Sequence, residues 1–160
     1  RSRHHAALTR IDQPKLRKSS RIMEQLFEKL RSGTGDRRQL LDECAARLTA
    51  HSHAEEQKVY PALAELDPNV RDEIHHGADE HHQAERMLHD LQRMSAGAPE
   101  FEDLLDEFIA AVRRHVEKEE TELLPALRDA VPAARLEELG AAFEKIRLQE
   151  LEVAGLGLRR

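Results

Sequence analysis

The sequence has very few aromatic residues. It has no tryptophan, one tyrosine and four phenylalanines among 160 residues, and aromatics make up 3% of the chain. Charged residues, by contrast, make up 35%, and alanine, leucine, glutamate and arginine are abundant. This composition is typical of a helical protein and does not suit a β-sandwich.

Cysteine is scarce, and long apolar runs and a positive net charge are absent. Cys44 is the only cysteine, which excludes a disulfide within the chain and favours a reducing, cytoplasmic setting. An apolar run of about 18 residues, which a membrane-spanning helix requires, does not occur, and neither does a signal-peptide pattern. The formal net charge is -6, so the whole-protein field does not attract polyanions. We therefore expect a soluble protein with neither nucleic acid nor membrane as a partner.

Apolar residues recur at helical spacing along most of the chain, and no stretch alternates as a strand does. Proline, glycine and capping residues divide the chain into five predicted helices. These helices start near Pro14, Asp36, Asp67, Pro99 and Pro132, and end near Ser32, Leu66, Ser95, Ala130 and Glu150. Because the first four are long and joined by short loops, we predict an all-α, up-down-up-down antiparallel four-helix bundle with an additional C-terminal helix.

The chain has the length of one domain. We assign residues 1–13 to a flexible N-terminal arm, 14–150 to the helical bundle and 151–160 to a frayed tail. Pro61 and Pro125 fall inside the second and fourth predicted helices. Each proline should kink its helix or change its last turn.

A duplicated segment is the strongest signal in the sequence. It occupies residues 51–63 and 115–127, and His, Glu, Glu, Pro, Ala and Leu recur at the same offsets in both copies. In each copy the histidine and the first glutamate are four residues apart, so both side chains lie on one face of a helix. The third predicted helix contains the same pair, as His81 and Glu85.

These three His–Glu pairs interrupt the apolar stripe that should face the core. A further pair, His76 and Glu80, lies off that stripe, and we expect it to be solvated. Burying three ionisable pairs without compensation would cost several kcal/mol each, and metal coordination is the natural compensation. Imidazole and carboxylate ligands suit iron, manganese or zinc. The predicted ligands are His51, Glu55, His81, Glu85, His115 and Glu119.

The two copies of the segment, with Glu80, His81 and Glu85 between them, resemble the hemerythrin-like HHE domain family over roughly residues 18–148. The resemblance implies a non-haem iron centre, with two ions bridged by carboxylate and an oxygen species. It also implies reactions with O₂, peroxide or nitric oxide, among which the family alone does not select. Manganese and zinc are the alternative metals.

One position departs from the family pattern. Family members place a histidine on the first helix where this sequence has Ser20, and serine is a poor iron ligand. Glu24 lies four residues later, where the other helices carry glutamate, and is a further candidate ligand. A site with one ion, a site completed by water and a site with a weak second ion are the alternatives. An open coordination position could equally be the place where O₂ or peroxide binds.

Three residues beside the predicted ligands are open to two interpretations. Glu56 and Glu120 either support the site or face solvent. Tyr60 is either a packing residue near a kinked helix or a residue with a role beside the metal.

We predict an iron protein that binds or reacts with O₂ or peroxide in an oxidative-stress or oxygen-related role, with catalase-like consumption of peroxide as one form of that chemistry. One alternative is a non-catalytic metal or oxygen sensor, or an iron-binding interaction module. Another is a metal-free structural bundle. The predicted partner is a small oxidant, and the predicted state is a monomer or a weak homodimer.

Overall fold

The computed structural model describes residues 20–95 and 97–156. The predicted arm over residues 1–13 and the predicted helix start at Pro14 lie outside the described residues. Within that described part no strand is present, and no helix is long and apolar enough to cross a lipid bilayer. The helices are α1 (20–32), α2 (Arg37–Ala54), α3 (Tyr60–Leu66), α4 (Arg71–Arg93), α5 (Phe101–Lys118), α6 (Leu124–Ala130) and α7 (Ala133–Val153).

Capping residues start the helices where the sequence places them. The Asp36 side chain accepts hydrogen bonds from the backbone N–H groups of Arg38 and Gln39 at 2.9 and 3.2 Å. Asp67 caps the 3₁₀ turn before α4 in the same way, by accepting from the N–H of Asn69 at 2.9 Å. Such caps satisfy donors that the first turn of a helix leaves without partners.

Two π-helical turns join α2 to α3 and α5 to α6 without a break. They span Glu55–Val59 and Glu119–Leu123, which are equivalent positions in the two copies of the repeat. The backbone N–H groups of Tyr60 and Leu124 each reach back five residues to a glutamate carbonyl. The next residue in both copies is a proline, which has no N–H to continue the helical ladder. Each proline thus follows a wide turn, and the helical rod continues past it.

The helical rods enclose two apolar clusters. The first lies between α1, α2, α4 and α5, and its fully buried aromatic residues are Phe27, Phe101 and Phe108. The second lies at the other end, where Tyr60 and Leu63 meet α6 and α7. Helix α7 packs along α2 and the first π turn. The predicted all-α four-helix bundle with an additional C-terminal helix is confirmed, and α7 continues past the predicted end near Glu150 to Val153.

Candidate metal centre

Four ionisable side chains meet between the two apolar clusters. Glu55 comes from the first π turn, His81 from α4, His115 from α5 and Glu119 from the second π turn. Each offers one ligand atom, and the four atoms lie within 4.8 Å of one another. Glu55, His81 and Glu119 are buried, and the His115 side chain is 12% exposed. We call these four residues the donor cluster.

Glu55 holds the central position. Its Oε1 lies 2.9 Å from His51 Nε2, 3.2 Å from His81 Nε2 and 3.8 Å from His115 Nε2. Three helices therefore aim the same imidazole nitrogen at one carboxylate oxygen. His51 is half-buried at the edge of the donor cluster, with its ring packed edge-on against Phe143 of α7 at 5.4 Å.

Contacts around Glu119 and the histidines fit a cation better than a network of hydrogen bonds. Glu119 Oε1 lies 2.6 Å from His115 Nε2, yet this buried oxygen has no hydrogen-bond partner. His81 Nε2 and His115 Nε2 are 2.9 Å apart, so without a cation one ring must donate a proton to the other. Buried polar atoms are nearly always satisfied. A metal ion would satisfy the nitrogen lone pairs and the unpaired oxygen together, so the residues present fit a metal.

Two further glutamates contact the far sides of the imidazole rings. Glu56 Oε1 is hydrogen-bonded to His81 Nδ1 at 3.3 Å. Glu80 Oε2 lies 3.5 Å from His115 Nδ1, but that nitrogen has no hydrogen-bond partner. A carboxylate at Nδ1 favours the tautomer that keeps its proton there and leaves the Nε2 lone pair free for a metal. Glu56 therefore supports the site, which was one of its two predicted roles, whereas Glu120 is exposed.

The expectation that Glu80 is solvated was wrong. Its side chain is 22% exposed and faces α5, where it lies near His115 and 3.8 Å from Lys118 Nζ. The apolar stripe of α4 does not indicate which polar groups α5 presents to that helix. His76, the other member of the pair, is exposed as expected.

Tyr60 packs directly against a donor. Its ring stacks on the His81 ring with centroids 5.8 Å apart and planes 10° from parallel. The hydroxyl is buried without a hydrogen-bond partner and fits against Gly77, where an added Cβ would lie 2.7 Å from it. Burial and the nearby Glu55 both raise the pKa of Tyr60, so the phenol stays neutral.

The carboxylates of the site raise the pKa values of His51 and His115 in the absence of a cation. Burial alone would lower the pKa of His115, but Glu119 and Glu55 outweigh it and raise that pKa to about 10. Glu55 and Glu119 likewise hold the pKa of His51 well above its usual range, against the effect of burial. Burial and the charge of Glu55 raise the pKa of Glu119. A bound metal would displace these histidine protons.

The structure brings five of the seven predicted ligands together and leaves two apart. His51, Glu55, His81, His115 and Glu119 contact one another as described above. Glu85 lies half-buried one turn further along α4, outside the donor cluster.

Glu24 of α1 also stands outside the donor cluster. Its carboxylate accepts hydrogen bonds from Arg113 at 2.9 and 2.7 Å. Those bonds lower the pKa of Glu24.

A cavity of about 220 Å³ borders the donor cluster. His81, His115 and Glu119 form part of its wall, while Glu55 and Tyr60 do not. Ser20 of α1 lines the same cavity. Ser20, the residue that departs from the family pattern, thus lies at the cavity that borders the donor cluster.

Comparisons with known proteins agree with this geometry. The hemerythrin HHE cation binding domain model matches residues 4–127. The crystal structure of a hemerythrin HHE cation binding domain-containing protein from Mycobacterium kansasii aligns with a TM-score of 0.67 and 26% identity, over 86% of this chain and 89% of that one. A Nostoc protein named DNA nickase is 30% identical over 106 residues, which are 64% of this chain and only 29% of that protein. Because the family match covers most of the sequence and both copies of the repeat, the chain belongs to the hemerythrin HHE cation-binding domain family.

Proposed function

We propose that this protein holds a redox-active non-haem iron centre, with two ions as the expected number, and that it binds or consumes O₂ or peroxide. The observation that carries the proposal is the convergence of imidazole Nε2 atoms from α2, α4 and α5 on Glu55, beside Glu119. Nitrogen and carboxylate donors of this kind suit iron, with manganese or zinc as alternatives. The two buried glutamates are the carboxylates that could bridge two ions.

Each residue of the site has a distinct part in this proposal. His51, His81, His115, Glu55 and Glu119 would hold the metal, and bound iron would supply electron transfer to a small oxidant. Glu56 keeps the Nδ1 proton of His81 in place, and the Glu80 carboxylate lies 3.5 Å from His115 Nδ1. The apolar clusters on either side limit the access of water.

Catalase-like turnover is the activity we propose first. Two molecules of hydrogen peroxide give two molecules of water and one of O₂, so peroxide itself serves as oxidant and reductant. A donor cluster beside a cavity suits a small neutral substrate of this kind. An oxidative-stress role in the cytoplasm, in a monomer or a weak homodimer, is part of the same proposal.

Anaerobic loading with Fe(II), followed by metal analysis, an optical spectrum and an oxygen electrode, tests the proposal. We expect one to two iron ions per chain, a near-ultraviolet oxo-bridge band after oxidation, and O₂ evolution from added peroxide. His81→Ala and His82→Ala form a matched pair, because these neighbours on α4 are buried in the donor cluster and exposed, respectively. The first variant should lose iron and activity, and the second should keep both. Folded wild-type protein that takes up no metal would overturn the proposal.

A metal sensor is the second candidate, and two contacts with α7 favour it. The His51 ring packs against Phe143, and His53 Nδ1 lies 3.2 Å from Glu150 Oε1. Helix α7 is thus joined to α2, which carries the predicted ligand His51 and leads directly into Glu55. Loss of metal would then loosen α7 and change the surface it presents. Stoichiometric iron without turnover, together with metal-dependent proteolysis of α7, would support this candidate.

The nickase name is not carried over, because the matched stretch is a minor part of that Nostoc protein.

A further inference from the structure

The cavity beside the donor cluster is larger than O₂ or hydrogen peroxide requires. Its volume is about 220 Å³, whereas an apolar cavity of about 150 Å³ is enough to bind benzene. Two small residues, Ser20 of α1 and Ala111 of α5, line it together with Phe27 and Val112. The space therefore accepts a compact hydrocarbon group that touches the donors.

Charge around the cavity argues against an anionic occupant. Three arginines line it, but five glutamates do so as well. Each arginine is already paired with a glutamate, and the pairs are Arg47–Glu43, Arg113–Glu24 and Arg147–Glu144. A carboxylate or phosphate ligand would find no unpaired guanidinium among these three and would meet like charges. A neutral ligand avoids both costs.

The lining also argues against a cavity that serves only to hold water. Most of its wall is apolar, with Met23, Leu48, Ala84 and Val116 among the lining side chains. An ordered water needs two to four polar partners, and these side chains provide none. Polar side chains line the cavity as well, and the donors His81, His115 and Glu119 are among them.

We propose that this cavity binds the hydrocarbon part of a small neutral organic hydroperoxide, with the oxygen end of that molecule at the donor cluster. The choice of a hydroperoxide rests on the proposed function, but the binding of a compact alkyl group does not. In net terms ROOH and H₂O₂ give ROH, H₂O and O₂. The O–O bond of the organic peroxide breaks, and hydrogen peroxide supplies two electrons and two protons and leaves as O₂.

Binding is tested first on the metal-free protein, with tert-butanol as an unreactive analogue of tert-butyl hydroperoxide. Ligand-observed saturation-transfer NMR should show binding to the wild type. Ala111→Phe and Ser20→Phe fill the cavity from two different helices, and each should reduce the signal at least fivefold. Ala134→Phe, on an exposed position of α7, is the matched control and should keep the signal. Circular dichroism checks that each variant is folded. If only one of the two cavity variants folds, that variant is sufficient for the comparison.

Turnover by the iron-loaded protein is tested second. The ratio of kcat/KM for tert-butyl hydroperoxide to that for hydrogen peroxide should fall at least tenfold in the cavity variants and stay unchanged in Ala134→Phe. Consumption of hydrogen peroxide alone by the wild type would overturn the organic substrate and leave the proposed function standing. Specific tert-butanol binding without any peroxide consumption would overturn the proposed function and support the cavity site. No tert-butanol binding, or equal loss in the control, would overturn the cavity site itself.

Discussion

The two copies of the repeat have the same spacing but different surroundings. In the first copy, Tyr60 stacks on His81, and α7 covers the site through the contact of Phe143 with His51. In the second copy, the equivalent of Tyr60 is Leu124, which lines the cavity together with Glu119 and with Glu120, an exposed residue. The first copy packs against aromatic rings and reaches the cavity through His51, whereas the second copy lines the cavity with several side chains.

This difference shows that the helices packed around each copy determine the roles of equivalent residues. Glu56 and Glu120 occupy equivalent positions, yet only Glu56 contacts an imidazole nitrogen of the site. Glu80, which is outside the repeat, lies 3.5 Å from Nδ1 of His115, the histidine of the second copy. We therefore predict different effects for mutations of equivalent residues in the two copies.

The largest effect is expected at the two buried glutamates. Glu55 lies within 3.8 Å of three imidazoles, whereas Glu119 contacts two. Glu55→Gln should lower iron affinity by about 100-fold or more, because removing a donor costs at least as much as removing its hydrogen-bonded support. Glu119→Gln should lower the affinity by less, because Glu119 contacts two imidazoles and Glu55 lies near three. Competition with a chelator measures both affinities. Glu65→Gln, on an exposed position of α3, is the control, and a larger loss in Glu119→Gln would reverse the ranking.

Stability of the metal-free protein should depend on pH through histidines of both copies. A pKa that folding raises contributes stability below the unfolded value, and that stability is lost as pH rises through the folded value. For His115 this range runs from about 6.5 to about 10. We expect urea unfolding of the metal-free protein to lose on the order of 2 kcal/mol across that range.

The iron-loaded protein provides the contrast for this pH dependence. Its histidines have already lost the protons, so the decline should be absent and iron uptake at neutral pH should release protons. A metal-free protein whose stability rises over the same pH range would contradict the assignment of charge in the site.

Glu56 and Glu120, which follow the ligands Glu55 and Glu119, test directly whether the two copies differ. Glu56→Gln should weaken iron binding by about tenfold, because it removes the carboxylate at His81 Nδ1. Glu120→Gln should change affinity by no more than about twofold, because Glu120 is exposed and contacts no donor nitrogen. Parallel iron titrations of the two variants give the comparison. Equal losses would mean that the copies are equivalent in solution.

A smaller effect is expected at Gly77, against which the Tyr60 hydroxyl of the first copy packs. Gly77→Ala puts a methyl group 2.7 Å from the Tyr60 hydroxyl, and such overpacking should destabilise the fold by about 1 kcal/mol. Gly140→Ala, at an exposed position of α7, should instead stabilise it by up to about 1 kcal/mol, because alanine favours the helix. Urea unfolding measures both changes, and a stabilised Gly77→Ala protein would show that Tyr60 is loosely held.

Helix bounds could be predicted from the sequence because they depend on local chemistry. Asp36 and Asp67 mark their helix starts through side-chain caps that involve only nearby residues. The spacing of His51 to Glu55 and of His115 to Glu119 places each pair on one face whatever the neighbouring helices do. Those residues are the ones that the structure brings together.

Contacts between helices could not be predicted in the same way. Whether Glu80 reaches His115, or Glu24 reaches Arg113, depends on how each helix is rotated about its axis, which the pattern of one helix does not determine. Pro61 and Pro125 predict a disturbance of the helical hydrogen-bond pattern, but they do not specify that a π turn precedes them. The doubled glutamate at positions 55 and 56 is a signal that could have assigned both residues to the site.

Each π turn changes the phase of its helical rod. One additional residue in a turn rotates everything beyond it by about 100° relative to an uninterrupted α-helix. The apolar side chains of α3 and α6 thereby turn away from the line continued by α2 and α5 and toward α7, where Leu63 and Leu127 pack with Leu136 and Leu139. Each wide turn that carries a buried glutamate thus also orients the apolar side chains against which α7 packs. The geometry of the donors and the attachment of α7 therefore cannot change independently.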